Sequence, residues 1–192
     1  MAKKQEFRPD KPQTSWLSYL VLTRQQQKKL LKWLLYSLLL LMVSVVQDVL
    51  LSPVRLFGAT TELVPCAIFL ICLMEGAQSS CIFALVASLL YLFSGTAAGP
   101  YSMVAITFLS VGICIFRQTF LQEGFFVAVI CCAVAMIVYE LVNFAFGLFL
   151  TFTPLSRIFG FLTTAILSLV AVPVLYPVLK AIRQIGDYSW KE

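Results

Sequence analysis

Histidine is absent from the 192 residues, only 12% of the side chains are charged, and aspartate and glutamate together number 9. Each scarcity excludes something. Without histidine there is no imidazole base for catalysis near neutral pH and no nitrogen donor to complete a zinc site. The charged fraction is about half the roughly 25% of an ordinary soluble domain, whose apolar share is usually about 45–50%. Here 60% of the residues are hydrophobic. A water-soluble fold cannot hide that much apolar surface. The chain also lacks a G-x-S-x-G elbow, a Gly-rich phosphate loop and an acidic pair suited to holding magnesium. These absences point away from an enzyme, and no cofactor or metal is expected.

The cysteines are Cys66, Cys72, Cys81, Cys114, Cys131 and Cys132, all inside apolar segments and with no C-x-x-C pair among them. They read as small hydrophobic packing residues.

What the sequence does hold is apolar runs. A spanning helix needs about 20 mostly apolar residues. Runs over 30–49, 56–74, 77–93, 100–116, 124–150 and 158–179 approach or exceed that length. The expected fold is therefore all-α, an integral membrane bundle of six transmembrane helices over 30–180. A tail at 1–29 and a short one at 181–192 flank it. The first run exceeds the apolar core of a signal peptide and no A-x-A-like site follows it, so it reads as an uncleaved anchor.

Charge placement gives the orientation. With the N-terminus inside, Lys3, Lys4, Arg8, Lys11, Arg24, Lys28, Lys29, Lys32, Arg117, Lys180, Arg183 and Lys191 all lie inside, leaving only Arg55 and Arg157 of the 14 basic residues outside. Such a bias puts both termini in the cytoplasm. The net charge of +5 is then a topology signal and not a sign of nucleic-acid binding. In the polar tail, Trp16, Leu17, Leu20 and Val21 recur at a spacing that suits a short interfacial helix over 15–22. Thr23 and Gln26 fit a capping box ahead of the first membrane helix, and Trp33 and Tyr36 follow as interfacial anchors.

Ionised side chains are expensive in lipid, so intramembrane carboxylates are the first functional candidates. Asp48, Glu62 and Glu140 all fall in the outer half of the membrane on this topology. Glu140, Asn143 and Gly147 share one helical face that should point into the bundle. The expected site is an outer polar cluster of Glu62, Glu140 and Asn143, with Arg55 or Arg157 reaching down from the adjoining loops. It serves either as a ligand pocket or as interhelical hydrogen bonding, with Asp48 and Glu62 solvated at the interface. Ser80, Ala84 and Ser88 form a small-residue stripe suited to close helix packing, as do Gly160, Thr164 and Ser168. Pro173 and Pro177 should kink the last span.

The stretch 56–118 resembles the rod-shape-determining membrane protein family MreD, in the form found in Gram-positive anaerobes. The resembling words are Phe57-Gly58-Ala59, Glu62-Leu63-Val64-Pro65, Glu75-Gly76, and Ser94-Gly95 with Gly99 four residues on. Two positions depart from the family pattern: Tyr91 stands where an aspartate is usual, and Thr61 where a proline is frequent. The resemblance implies a non-catalytic subunit of the cell-elongation machinery in the bacterial cytoplasmic membrane. It would sit beside an MreC-like membrane protein and link MreB filaments to peptidoglycan synthases. It also implies a fold similar to the substrate-binding subunits of energy-coupling-factor vitamin transporters. A subunit of that kind is the competing reading. However, those subunits resemble one another in an Ala-x-x-x-Ala motif on the first helix, and residues 30–51 contain no alanine. The basic inner tail would meet anionic membrane lipid or a cytoplasmic protein.

Overall fold

In lipid every backbone N–H and C=O must find its partner within the protein, and a helix achieves this within one segment. The apolar runs do so. The structure, a computed structural model, describes residues 24–51, 60–75, 77–120, 124–150, 153–154 and 157–186. Every regular element among them is helical. These are α1 (Arg24–Val45), continued by a π-helical turn (Val46–Leu51), α2 (Leu63–Met74), α3 (Ala77–Phe93), α4 (Pro100–Phe120), α5 (Phe125–Phe149), α6 (Ile158–Leu169) and α7 (Val172–Gly186). The interfacial helix expected over 15–22, the Thr23 cap and Arg55 lie outside the described residues.

Three helical stretches are long and apolar enough to cross a membrane: Gln27–Leu51, Pro100–Gln118 and Phe125–Phe149. A fourth span is available if α6 and α7, which meet at a 45° bend, are taken together. The remaining two expected spans are represented by shorter helices. The 12 residues of α2 rise roughly 18 Å and the 17 of α3 roughly 25 Å, against about 30 Å of hydrocarbon.

The short α2 is the axis of the bundle. Its sequence carries no polar side chain apart from cysteine, and a helix apolar on all sides must be buried on all sides. Residues 64–74 are buried without exception, and the surrounding helices α1, α3, α4, α5, α6 and α7 all pack on it. The outer helices are one-sided instead. On α1, Tyr36, Leu40, Val43 and Gln47 turn inward at helical spacing, while Leu34, Leu38, Leu41 and Val45 face out. Phe108, Phe126, Phe149 and Phe159 are 76–83% exposed. That surface suits hydrocarbon and not water.

Ser80, Ala84 and Ser88 are all fully buried where α3 packs on α4. Ser80 Oγ lies 3.2 Å from Cys114 Sγ, and Ser88 Oγ 3.1 Å from Thr107 Oγ1. The turn into α4 needs Gly95, whose φ of +78° an L side chain rarely adopts. On α6, Thr164 and Ser168 are buried, but a Cβ on Gly160 would meet no atom within 4 Å. The second stripe is therefore close-packed at two of its three positions.

The bend in the last segment sits N-terminal to Pro173 and not at it. A proline ring clashes with the carbonyl four residues back, here Leu169, where α6 ends. The chain turns on tighter bonds, Val170 N–H donating to Leu167 O at 3.1 Å and Ala171 N–H to Ser168 O at 3.2 Å. Pro173 then occupies the first turn of α7, where its missing N–H costs nothing. Pro177 is accommodated inside the helix.

Candidate functional site

Helix α2 begins at a half-buried glutamate and ends at a buried one, so the bundle carries a polar cluster at each end of it, named outer and inner after the orientation expected from the charges. The outer one forms at Glu62, which caps α2 without a side-chain hydrogen bond of its own. The cap is supplied from another helix. Gln47 Oε1 accepts from Leu63 N–H at 2.7 Å and from Val64 N–H at 2.9 Å, satisfying two of the donors that a helix start leaves free. Glu62 N–H donates to Ser168 Oγ at 2.9 Å, and that hydroxyl donates to Thr164 O at 2.8 Å. The Tyr91 hydroxyl makes a long contact of 3.4 Å to Glu62 Oε2. Tyr139 borders the same carboxylate.

Glu140 and Asn143 are 3% and 2% exposed. Glu140 lies within electrostatic range of Glu62, and Asn143 beside Tyr139. Glu62, Glu140 and Asn143 thus share one region of the bundle, as their spacing suggested. Gly147, next on that face, is buried, and a Cβ there would come within 2.7 Å of Thr153 Oγ1. The cluster leaves both donors and acceptors unmet. Glu140 Oε1, both side-chain polar atoms of Asn143 and the Tyr139 hydroxyl are buried without a hydrogen-bond partner. A native fold seldom leaves such groups unmade.

Arg157 was expected to reach this cluster and does not. It is exposed at the N-terminal end of α6 and makes no ion pair with Glu62 or Glu140. The geometry explains why. Arg157 is turned to the exposed side of the helix start, whereas Ile158, Phe161 and Leu162 after it line the space against Glu140. Asp48 stands apart, taking only a 3.4 Å contact from Ser44 Oγ.

The inner cluster was not singled out in the sequence. Its centre is Glu75, the C-cap of α2. Lys32 Nζ lies 2.7 Å from Glu75 Oε1, the Tyr36 hydroxyl donates to the same oxygen at 2.7 Å, and Arg117 donates to the Glu75 carbonyl. Lys32 and Glu75 are 8% and 9% exposed. Trp33 and Phe83 wall the site, with ring centroids 5.7 Å and 6.5 Å from that of Tyr36. A glutamate at a predicted turn and a lysine near a membrane face each read as solvated. Only their juxtaposition across two helices makes them a pair. The available signal is Lys32 with Tyr36 at i, i+4, which puts a cation and a phenol on one face.

The two clusters fix register. From Lys32 to Gln47 α1 rises roughly 22 Å, and from Glu62 to Glu75 the second segment rises roughly 20 Å. Antiparallel helices of matched length therefore place both polar ends opposite their partners. Among the described residues no group of three or more His, Cys, Asp or Glu side chains converges as a metal site would require. Compared with known proteins, the chain finds no counterpart: no family model, no curated protein and no solved structure matches it.

Proposed function

We propose that this chain is a non-catalytic membrane scaffold of the bacterial cell-elongation machinery, related to MreD. In this reading it crosses the cytoplasmic membrane six times with both termini inside. It joins an MreC-like membrane protein and, through it or directly, MreB filaments and peptidoglycan synthases. The observation that carries the reading is where the MreD-like words fall. Glu62-Leu63-Val64-Pro65 opens α2 at the outer cluster, Glu75 closes it at the inner one, and Ser94-Gly95 makes the turn into α4. The described residues among these words are therefore joints of the central hairpins, the positions that a shared bundle would need to share.

Six spans are compatible with the short α2 because protein and not lipid surrounds it. The orientation is supported by the inner cluster, which gathers the start of α1, the end of α2 and the end of α4 around Lys32, Glu75 and Arg117. The unpartnered outer groups are what a vitamin-binding subunit would also use, so the test separates the two. Depleting the protein from its native cell should turn rods into round cells, scored by the length-to-width ratio, with vitamin uptake unchanged. Cells that remain rods and lose uptake of a vitamin would overturn the scaffold reading.

A further inference from the structure

Between α5 and the outer half of the bent pair lies a crevice of about 240 Å³, lined by Ile137, Leu141 and Phe144 of α5 and Phe159, Phe161 and Leu162 of α6, with Glu140 as its one ionisable group. Leu141, Phe159 and Leu162 are exposed, so the crevice opens sideways into the hydrocarbon. Glu140 is 3% exposed and its Oε1 has no partner. The crevice is thus an apolar slot with an unmet acceptor at its wall.

We propose that the slot receives the basic side chain of a partner's transmembrane helix. Three features select that occupant. Charge is the first: among the described residues no cation pairs with the neighbouring carboxylates Glu62 and Glu140. Depth is the second. Glu140 lies nine residues before the outer end of α5 at Phe149, roughly 13 Å below it, so a lipid headgroup amine at the interface sits too high. A lysine on a neighbouring helix reaches sideways at that depth. Source is the third: among the described residues the lysines and arginines lie towards the ends of the spans, with Arg157 at the start of α6, so no described cation of a second copy stands mid-span at that level. Beside the slot, Gly160 lacks a side chain and a Cβ there would meet nothing within 4 Å, which leaves room for a helix to approach.

The proposal deepens the scaffold reading by naming the chemistry of a membrane-embedded partner, and it is tested without cells. The full chain is reconstituted in phosphatidylcholine vesicles with a fluorescent polyleucine peptide of about 21 residues. The peptide carries one lysine in its outer half, or leucine at the same place. Energy transfer should show the lysine peptide binding saturably and about tenfold more tightly than the leucine peptide. Glu140→Gln should reduce it to the leucine level. Leu162→Trp, which fills the mouth and spares Glu140, should do the same and guards against a folding defect in the first variant. Equal binding of the two peptides, or a lysine peptide indifferent to both substitutions, would overturn the proposal. So would displacement of the lysine peptide by an equimolar single-chain amine such as oleylamine, or Glu140-dependent self-association of the protein. Round cells on depletion combined with unselective peptide binding would leave the scaffold reading standing and remove this one.

Discussion

Replacing Glu75 by glutamine should lower the stability of the detergent-solubilised bundle by about 3 kcal/mol, because it leaves the Lys32 ammonium buried without its counter-charge. Lys32 and Glu75 are each more than nine-tenths buried and 2.7 Å apart, so this is not an exposed surface pair, whose loss would cost about 1 kcal/mol or less. The amide keeps an acceptor for Tyr36 and preserves the shape of the side chain, so the variant isolates the charge. Unfolding by sodium dodecyl sulfate, followed by the fluorescence of Trp33 with Trp16 and Trp190 replaced by phenylalanine, reads the change at the site itself. Adding Lys32→Met to Glu75→Gln should recover part of the loss, since an apolar pair leaves no charge stranded. An unchanged transition in the single variant would mean that the pair is solvated.

The second large effect is expected at Gln47. Its side-chain oxygen is the acceptor for both Leu63 N–H and Val64 N–H, and in a dry interior each orphaned donor costs about 1–3 kcal/mol. Gln47→Leu should therefore destabilise the bundle by about 2–4 kcal/mol. Gln47→Glu retains an acceptor at the same place and should lose much less. Both variants are compared with the parent by the same unfolding transition. Equal losses for leucine and glutamate would show that the position matters for packing and not for the cap.

Much of the bundle was legible because membrane helices are written in uninterrupted apolar runs. The run over 77–93 coincides with α3, and those over 100–116 and 124–150 lie within a few residues of α4 and α5. Hydropathy says less about depth. It read 56–74 as a lipid-crossing segment, whereas the helix over 63–74 is shielded by its neighbours. An all-apolar helix carries the same sequence signal whether protein or lipid surrounds it.

The polar sites divide along the same line. Glu140 and Asn143 were visible because a carboxylate and an amide at a spacing of three in an apolar run have no cheap place in lipid. Gln47 stands in a similar run, but a neutral amide gives a weaker signal there than the neighbouring Asp48 carboxylate. Glu75 gives none, because a charged residue next to a glycine reads as a turn. Its partners on α1 and α4 are 43 and 42 residues away, and no local pattern reports a contact at that distance. The proposed pairing of Arg157 with the outer cluster failed for the opposite reason. Proximity in the sequence to a helix end does not report which side of that helix a side chain leaves, and Arg157 leaves on the exposed one.

Helix α2 is held away from lipid by the helices around it and clamped at both ends. Carbene labelling from a photoactivatable lipid, with adducts mapped by mass spectrometry, tests it directly. Adducts should accumulate on the outward positions of α1, α4, α5 and α6, such as Leu38, Phe108, Ile130 and Phe159, and skip residues 64–74. Labelling of that segment at the level of its neighbours would place α2 against hydrocarbon and contradict the account.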